Sequence, residues 1–197
     1  MTALCITRNR RTWLPQAIQC FLAQTYRPLE LLIVADGEDV RDLVPNDQRI
    51  RLIHIDRTMH IGDKRNFGCQ HARGEVIVHW DDDEFCAPNR VTDQVSRLVE
   101  SGKSVTGYNS MRFTDGTNWW QYQGAADYAL GTSLCYRKSY WEENKFPSMQ
   151  IGEDLIFSNM AAFNREFIVA DAGDLMHATI HSQNTSPRTL GSAWTKL

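Results

Sequence analysis

Glu75-Val76-Ile77-Val78-His79-Trp80-Asp81-Asp82-Asp83-Glu84 is the stretch that decides the fold. Its first half reads as a short strand, bounded by Arg73-Gly74 before it and Pro88 after it. Its second half sets four acids in a row at the strand's carboxyl end. There they repel one another, and nothing in strand propensity calls for them. A divalent cation removes the repulsion. Hard carboxylate oxygens suit magnesium or manganese, and magnesium is usually held by one or two carboxylates plus substrate phosphates. The competing reading is a solvated acidic turn, the ordinary fate of a short acidic run.

Strands and helices alternate around this stretch. Ala3-Leu4-Cys5-Ile6-Thr7 reads as a first strand, followed by a basic loop from Arg8 to Arg11. Trp13, Leu14, Ala17, Ile18, Phe21 and Leu22 then recur at helical spacing, which predicts a helix to about Gln24. Leu29 to Ala35 is a continuous apolar run closing at Asp36-Gly37, a buried strand ending in a turn. Ile50 to Ile55 gives a third strand and Asp63 to Ala72 a helix; Glu75 to Trp80 is the fourth strand. Val91, Val95, Leu98 and Val99 mark a further helix behind Pro88-Asn89. Repeated strand-helix-strand units predict a Rossmann-like, mostly parallel sheet with helices on both faces. Ligands of such sheets sit beyond the strands' carboxyl ends. Thr7, Asp36 and the acidic cluster all lie at such ends, so one crevice should gather them.

The remaining sequence sets limits. The 197 residues suit one domain with a substantial core. A net charge of -3 and a pI near 6.1 give no global basic footprint for a nucleic-acid partner. Five scattered cysteines with no C-x-x-C pair argue for reduced thiols in a cytoplasmic setting. No apolar stretch is long enough to span a membrane, and the N-terminus lacks a signal-peptide core. The chain therefore reads as soluble.

The second half is organised differently. Ser104 to Arg137 carries Gly107, Gly116, Gly124 and Gly131 among many aromatics, which predicts short mixed strands and loops. Trp119-Trp120 admits two readings, ordinary core or a stacking surface for a sugar or base. Gly152-Glu153-Asp154 opens an apolar helical run from Leu155 to Phe163, where acids also serve the helix dipole.

Taken together these segments resemble family 2 glycosyltransferases of the GT-A fold, over nearly the whole chain. Cys5-Ile6-Thr7-Arg8-Asn9-Arg10 is similar to the family's first strand ending in T-x-N-R. Ala17 to Tyr26, followed by Glu30 to Val34, resembles its "SIL-QTY---E-IIV" helix and strand. Asp36-Gly37 matches half of the usual Asp-Asp-Gly-Ser, and Arg65-Asn66-Phe67-Gly68 with Ala72-Arg73-Gly74-Glu75 matches "RN-G…A-GE". Asp81-Asp82-Asp83 stands at the metal-binding D-x-D. Gly131-Thr132-Ser133 to Arg137, Glu153-Asp154 and His181 to Ser186 resemble the "G-S---FR", E-D and "H--N-S" segments. Ala35 and Glu38-Asp39 depart from the pattern and leave base preference open.

The resemblance implies an inverting, metal-dependent transfer of a sugar from a nucleoside-diphosphate donor, with a UDP-sugar favoured, to an acceptor hydroxyl. Residues 1–103 would form the nucleotide-sugar half and 104–197 the acceptor half of a single domain. Asp83 would ligate Mn2+ or Mg2+, with His181 as a further ligand; His177 competes for that place, and a structural histidine is the plainer alternative. Asp81 and Asp82 would serve the donor, Asp82 least distinctly. Asp36 would accept a hydrogen bond from the nucleobase imide, lined by Thr7 and Arg8. Lys64 and Arg65 would offer charge to base or diphosphate, unless they form a solvated helix face. Asp154 would be the general base, with Glu153, Trp119 and Trp120 on the acceptor side.

Three other readings compete. A sugar nucleotidyltransferase should carry a glycine-rich loop after strand one, whereas Arg8-Asn9-Arg10-Arg11 has no glycine. A non-catalytic nucleotide-sugar or glycan-binding module of the same fold would not call for Asp83, Asp154 and His181 together. A hydroxylated base in DNA could be the acceptor, but the net charge lends this nothing.

Overall fold

A computed structural model describes residues 1–186 and 190–197. Its eleven strands form one sheet. Strands β1 (Thr2–Thr7), β2 (Glu30–Asp36), β3 (Ile50–Ile55) and β4 (Val76–His79) run in the parallel order β4-β1-β2-β3. Nearly continuous burial of β1 and β2 explains why they read as unbroken apolar runs: both faces of a parallel sheet are covered.

Helices cover both faces. On one side α1 (Leu14–Leu22) buries Leu14, Ala17, Ile18 and Phe21, with a proline in its first turn, and α3 (Arg90–Ser101) buries Val91 and Leu98. Gly102, at φ +68°, ends α3 in the left-handed conformation glycine favours. The other side holds α2 (Ile61–His71), α4 (Lys138–Glu143) and α5 (Glu153–Phe163) over a second core that includes Leu4, Tyr136 and Phe157. Phe157 stacks on Phe146 at 4.2 Å between centroids, so Phe157→Ala should cost about 3–5 kcal/mol.

Beyond β4 the sheet becomes mixed. Strand β8 (Cys135–Arg137) pairs antiparallel to β4, and β6 (Val105–Thr114) antiparallel to β8. Strands β7 (Trp119–Gln123) and β11 (Trp194–Lys196) continue the antiparallel edge. Strands β9 (Phe167–Asp171) and β10 (Met176–Thr179) run parallel to β6. The expected irregular segment from Ser104 to Arg137 is therefore organised around one ten-residue strand and its hairpin partner. The acidic run does not end in a loop either. After a turn, Glu84 begins β5 (Glu84–Cys86), which pairs antiparallel with β10. That pairing draws the C-terminal region toward the carboxyl end of β4.

Candidate active site

The loops after β1 and β4 build one side of a cleft of about 510 Å³. Thr7 ends β1 and donates from Oγ1 to Asp82 Oδ2 at 2.6 Å. Arg10 Nη1 donates to Asp82 Oδ1 at 2.9 Å and to Asp83 Oδ2 at 2.7 Å. The same guanidinium donates through Nη2 to the carbonyl of Gln183 at 2.5 Å, which ties the acids to the C-terminal loop. Asp82 is pushed up to about 6, chiefly by burial and against the pull of Arg10. Oxygens from Asp81, Asp83 and Glu84 lie within 4.8 Å of one another. Such a set of hard, converging carboxylate oxygens fits magnesium or manganese.

His181 reaches this cluster. Its Nε2 lies 2.9 Å from Asp83 Oδ2, its ring stacks on Trp13 at 4.2 Å, and Asn184 Nδ2 lies 3.3 Å from the same Asp83 oxygen. His177 does not: it stacks on Phe85 and lies edge-on to Trp119. Of the two histidines, only His181 meets the acids.

Helices α2 and α5 build the other side. Helix α2 can lie close to the sheet because position 68 is glycine; a Cβ there would come within 2.3 Å of Leu4. That approach buries Lys64 and Arg65 at the cleft instead of leaving a solvated face. Arg65 Nε donates to Glu153 Oε1 at 3.0 Å, and both groups are buried. Burial works against the Arg65 charge, but Asp81, Glu153 and Asp154 outweigh it and raise its pKa. Burial likewise raises Glu153. Arg65 Nη1 is buried without a hydrogen-bond partner among the described residues, a donor left over at the cleft.

Asp154 lies in the first turn of α5, and Gly152 before it adopts φ +88°. Asp154 Oδ1 accepts from the N–H of Leu155 at 2.8 Å. Its Oδ2 abuts Gly131, where an added Cβ would stand only 1.5 Å away. Only glycine leaves that room. The carbonyl of Gly131 is held in turn by His79 Nδ1 at 2.6 Å, so a buried side chain of β4 fixes the turn beside Asp154.

Two groups of expected residues are placed differently. Asp36 is fully buried behind Lys64; one oxygen bonds Lys64 Nζ and the other accepts from the N–H of Met59 at 2.9 Å. It does not line the cleft, and each of its oxygens already accepts one hydrogen bond. Trp119 and Trp120 lie on the β7 hairpin and do not line the cleft, because β7 extends the sheet edge toward β11. Arg10 is a site residue that the sequence reading does not name as one, and Glu84 is expected there only as part of the acidic cluster, with no role of its own. The basic loop and the fourth acid of the run were visible, but their convergence depends on the β5–β10 pairing. A more open groove of about 870 Å³ lies against α2 and α4, lined by groups such as Arg57, Trp141 and Lys145. The smaller cleft is the candidate site because the carboxylates gather there.

Carboxylates at the carboxyl ends of parallel strands, facing an acid-led helix across a cleft, sit on a sheet of the GT-A fold. The family model described as "Glycosyl transferase family 2" matches residues 2–169. The chain belongs to that family. An uncharacterized glycosyltransferase of Rickettsia bellii is 25% identical over 199 residues, spanning 90% of this chain and 28% of that protein. The structure of S. aureus TarS residues 1–349 with UDP-GlcNAc superposes with a TM-score of 0.79 at 17% identity, over 96% of this chain and 61% of that 1–349 chain. The mannosyltransferase PcManGT of Pyrobaculum calidifontis, in complex with GDP-Man and Mn2+, gives 0.71 at 15% identity, over 91% and 56%. The chain spans less than half the length of the curated relatives it matches most significantly. Among the described residues no helix is long and apolar enough to cross a membrane.

Proposed function

We propose that this chain carries an inverting glycosyl transfer from a nucleoside-diphosphate sugar to an acceptor hydroxyl. The observation that supports it best is the meeting of Asp154 and the Asp81–Glu84 acids in one cleft. Asp81, Asp83 and Glu84 would hold Mn2+ or Mg2+, with His181 beside Asp83. When bound, the cation would neutralise charge developing on the departing diphosphate. Lys64, Arg8 and the spare Arg65 donor would orient the anionic donor in the same cleft. The acceptor oxygen attacks the anomeric carbon, the bond to the diphosphate breaks with its electron pair, and the hydroxyl proton passes to Asp154. One displacement inverts the configuration. Glu153, pinned by Arg65, holds the first turn of α5 and so aims its neighbour.

For the donor we favour a uridine diphosphate sugar, the type bound in the TarS complex. Asp36 would meet the uracil imide only with Lys64 withdrawn from it. Thermal-shift screening of nucleotides with manganese checks this, and stabilisation by guanosine but not uridine diphosphates would overturn the base assignment.

Asp154→Asn tests the mechanism. Asn cannot take the proton, so turnover at saturating donor should fall by roughly 10²–10⁴-fold while donor affinity changes little. Loss of the Asp154 charge from the first turn of α5 would by itself cost only about 0.3–1 kcal/mol of stability and no turnover. Near wild-type turnover would therefore remove Asp154 from the chemistry.

A further inference from the structure

Helix α5 carries seven apolar residues on its inner and outer sides, with the exposed Asn159 among the outer ones, yet only one side meets the core. Phe157 and Ala161 point inward, while Leu155, Ile156, Met160 and Phe163 lie exposed, Phe163 at 85%. Met149 and Ile151, just ahead of the helix, extend the same patch. Scattered exposed apolar residues are ordinary, but a cluster of six is a surface awaiting a partner.

The patch has a direction. Ile151 and Leu155, which bracket Asp154 in sequence, also line the cleft. The apolar surface thus begins at the lip of the cleft and runs outward along α5. From Leu155 to Phe163 it follows about 12 Å of helix at ~1.5 Å per residue.

Charge and size decide what covers it. A stable dimer buries about 800 Å² per partner through roughly 20–30 residues a side, more than one short helix and its entry supply. An anionic membrane surface selects helices flanked by Lys and Arg. Helix α5 instead opens on Glu153 and Asp154, carries no Lys or Arg along its length, and meets a single arginine, Arg165, just beyond its end. Continuity with the cleft leaves the molecule whose hydroxyl reaches Asp154.

We propose that the acceptor carries a hydrocarbon chain, which lies along the outer face of α5 while its hydroxyl-bearing head enters the cleft. This rests on the reading of Asp154 as the acceptor-side base. Leu155 and Ile151 receive the first part of the chain; Ile156, Met160 and Phe163 receive the rest.

Matched methyl and octyl β-glucosides, β-galactosides and β-N-acetylglucosaminides test it, below their micelle concentrations. The binding readout is the 13C-methyl resonances of Met149 and Met160, with UDP and manganese present. At least one octyl glycoside should bind about tenfold or more tightly than its methyl counterpart, a modest part of what full burial of the added methylenes would give. The exposed double variant Ile156→Ser/Met160→Ser should lose that gain, read on Met149, with unchanged melting temperature and UDP binding. No chain-length effect with any head group would overturn the proposal. So would concentration-dependent dimerisation abolished by the double variant, or sedimentation with phosphatidylcholine–phosphatidylglycerol vesicles, without a chain-length effect. Intact UDP binding in those cases would leave the transferase reading standing. Failure of wild-type protein to bind any nucleotide would remove that reading instead, while the methionine resonances still report on the chain.

Discussion

The cleft holds two arginine–carboxylate systems, and they are built in different ways. Arg10 comes from a loop, keeps 15% of its side chain exposed, and divides its donors among Asp82, Asp83 and the Gln183 carbonyl. Arg65 comes from a helix, is 6% exposed, and pairs with Glu153, itself 4% exposed. The first arrangement neutralises an acid cluster with a partner that water or a cation can replace. The second locks the base of α5 into the core. The difference assigns adaptability to the side of the cleft with the acid cluster and rigidity to the side that carries Asp154.

The largest expected effect tests the side with the acid cluster. Asp83→Ala should reduce transfer to the rate of a chelator-treated wild-type control and cost only about 1–2 kcal/mol of stability, because relief of repulsion within the acid set offsets part of the lost contacts with Arg10, His181 and Asn184. Full activity in this variant, or in excess chelator, would show that the acid cluster holds no catalytic cation.

Arg65→Met makes the opposite demand. It strands Glu153 in a buried site, and breaking one partner of such a pair costs about 3–5 kcal/mol. Denaturant titration should show that loss, and Arg65→Met/Glu153→Leu should recover much of it. A loss below about 1 kcal/mol would dissolve the distinction between the two sides.

How much of this was legible beforehand follows the same division. Strands β1, β2 and β4 announce themselves because they are largely apolar and buried; β3, an edge strand that carries Arg51 and His54 and is mostly half-buried, is found at Ile50–Ile55 where its pattern placed it. Strand β6 hides because Gly107, Asn109 and Ser110 interrupt its apolar pattern. Gly107 is needed there, since a Cβ would come within 2.6 Å of Ala129. The acids, Lys64, Arg65 and the Glu153-Asp154 pair could be read as site candidates from type and position. The roles of Arg10, Glu84 and Gly131 could not, because they arise from contacts across distant segments: β5 with β10, and Gly131 with Asp154.

Arg10→Met sharpens the comparison from the adaptable side. The replaced hydrogen bonds are charged but close to solvent, so the cost should be about 1–2 kcal/mol, well short of the Arg65 effect. Asp83 Oδ2 also loses a competitor, so manganese affinity measured by electron paramagnetic resonance should rise. Weaker manganese binding, or a stability loss matching Arg65→Met, would make Arg10 a structural clamp.

The smallest effect probes the rigid side through pH. His79 is fully buried, and burial, followed by the charge of Arg65, lowers its pKa well below the ordinary 6.5. In the unfolded chain it titrates near 6.5, so below that pH the unfolded state takes up a proton that the folded state refuses. Its contribution to stability is therefore complete above pH 6.5 and is lost as pH falls, at ~1.4 kcal/mol per unit. Asp82 acts in the reverse sense, since its raised pKa lets the folded state hold a proton to about 6. Wild-type stability alone would blend the two. The difference between wild type and His79→Gln isolates the histidine, because Gln retains an N–H for the Gly131 carbonyl but does not titrate. Melting at pH 7.5 and 5.5 should show wild type losing about 1.4 kcal/mol more than His79→Gln. Equal losses would mean that His79 accepts a proton in place, and that the turn beside Asp154 is less tightly held than its contacts with β4 imply.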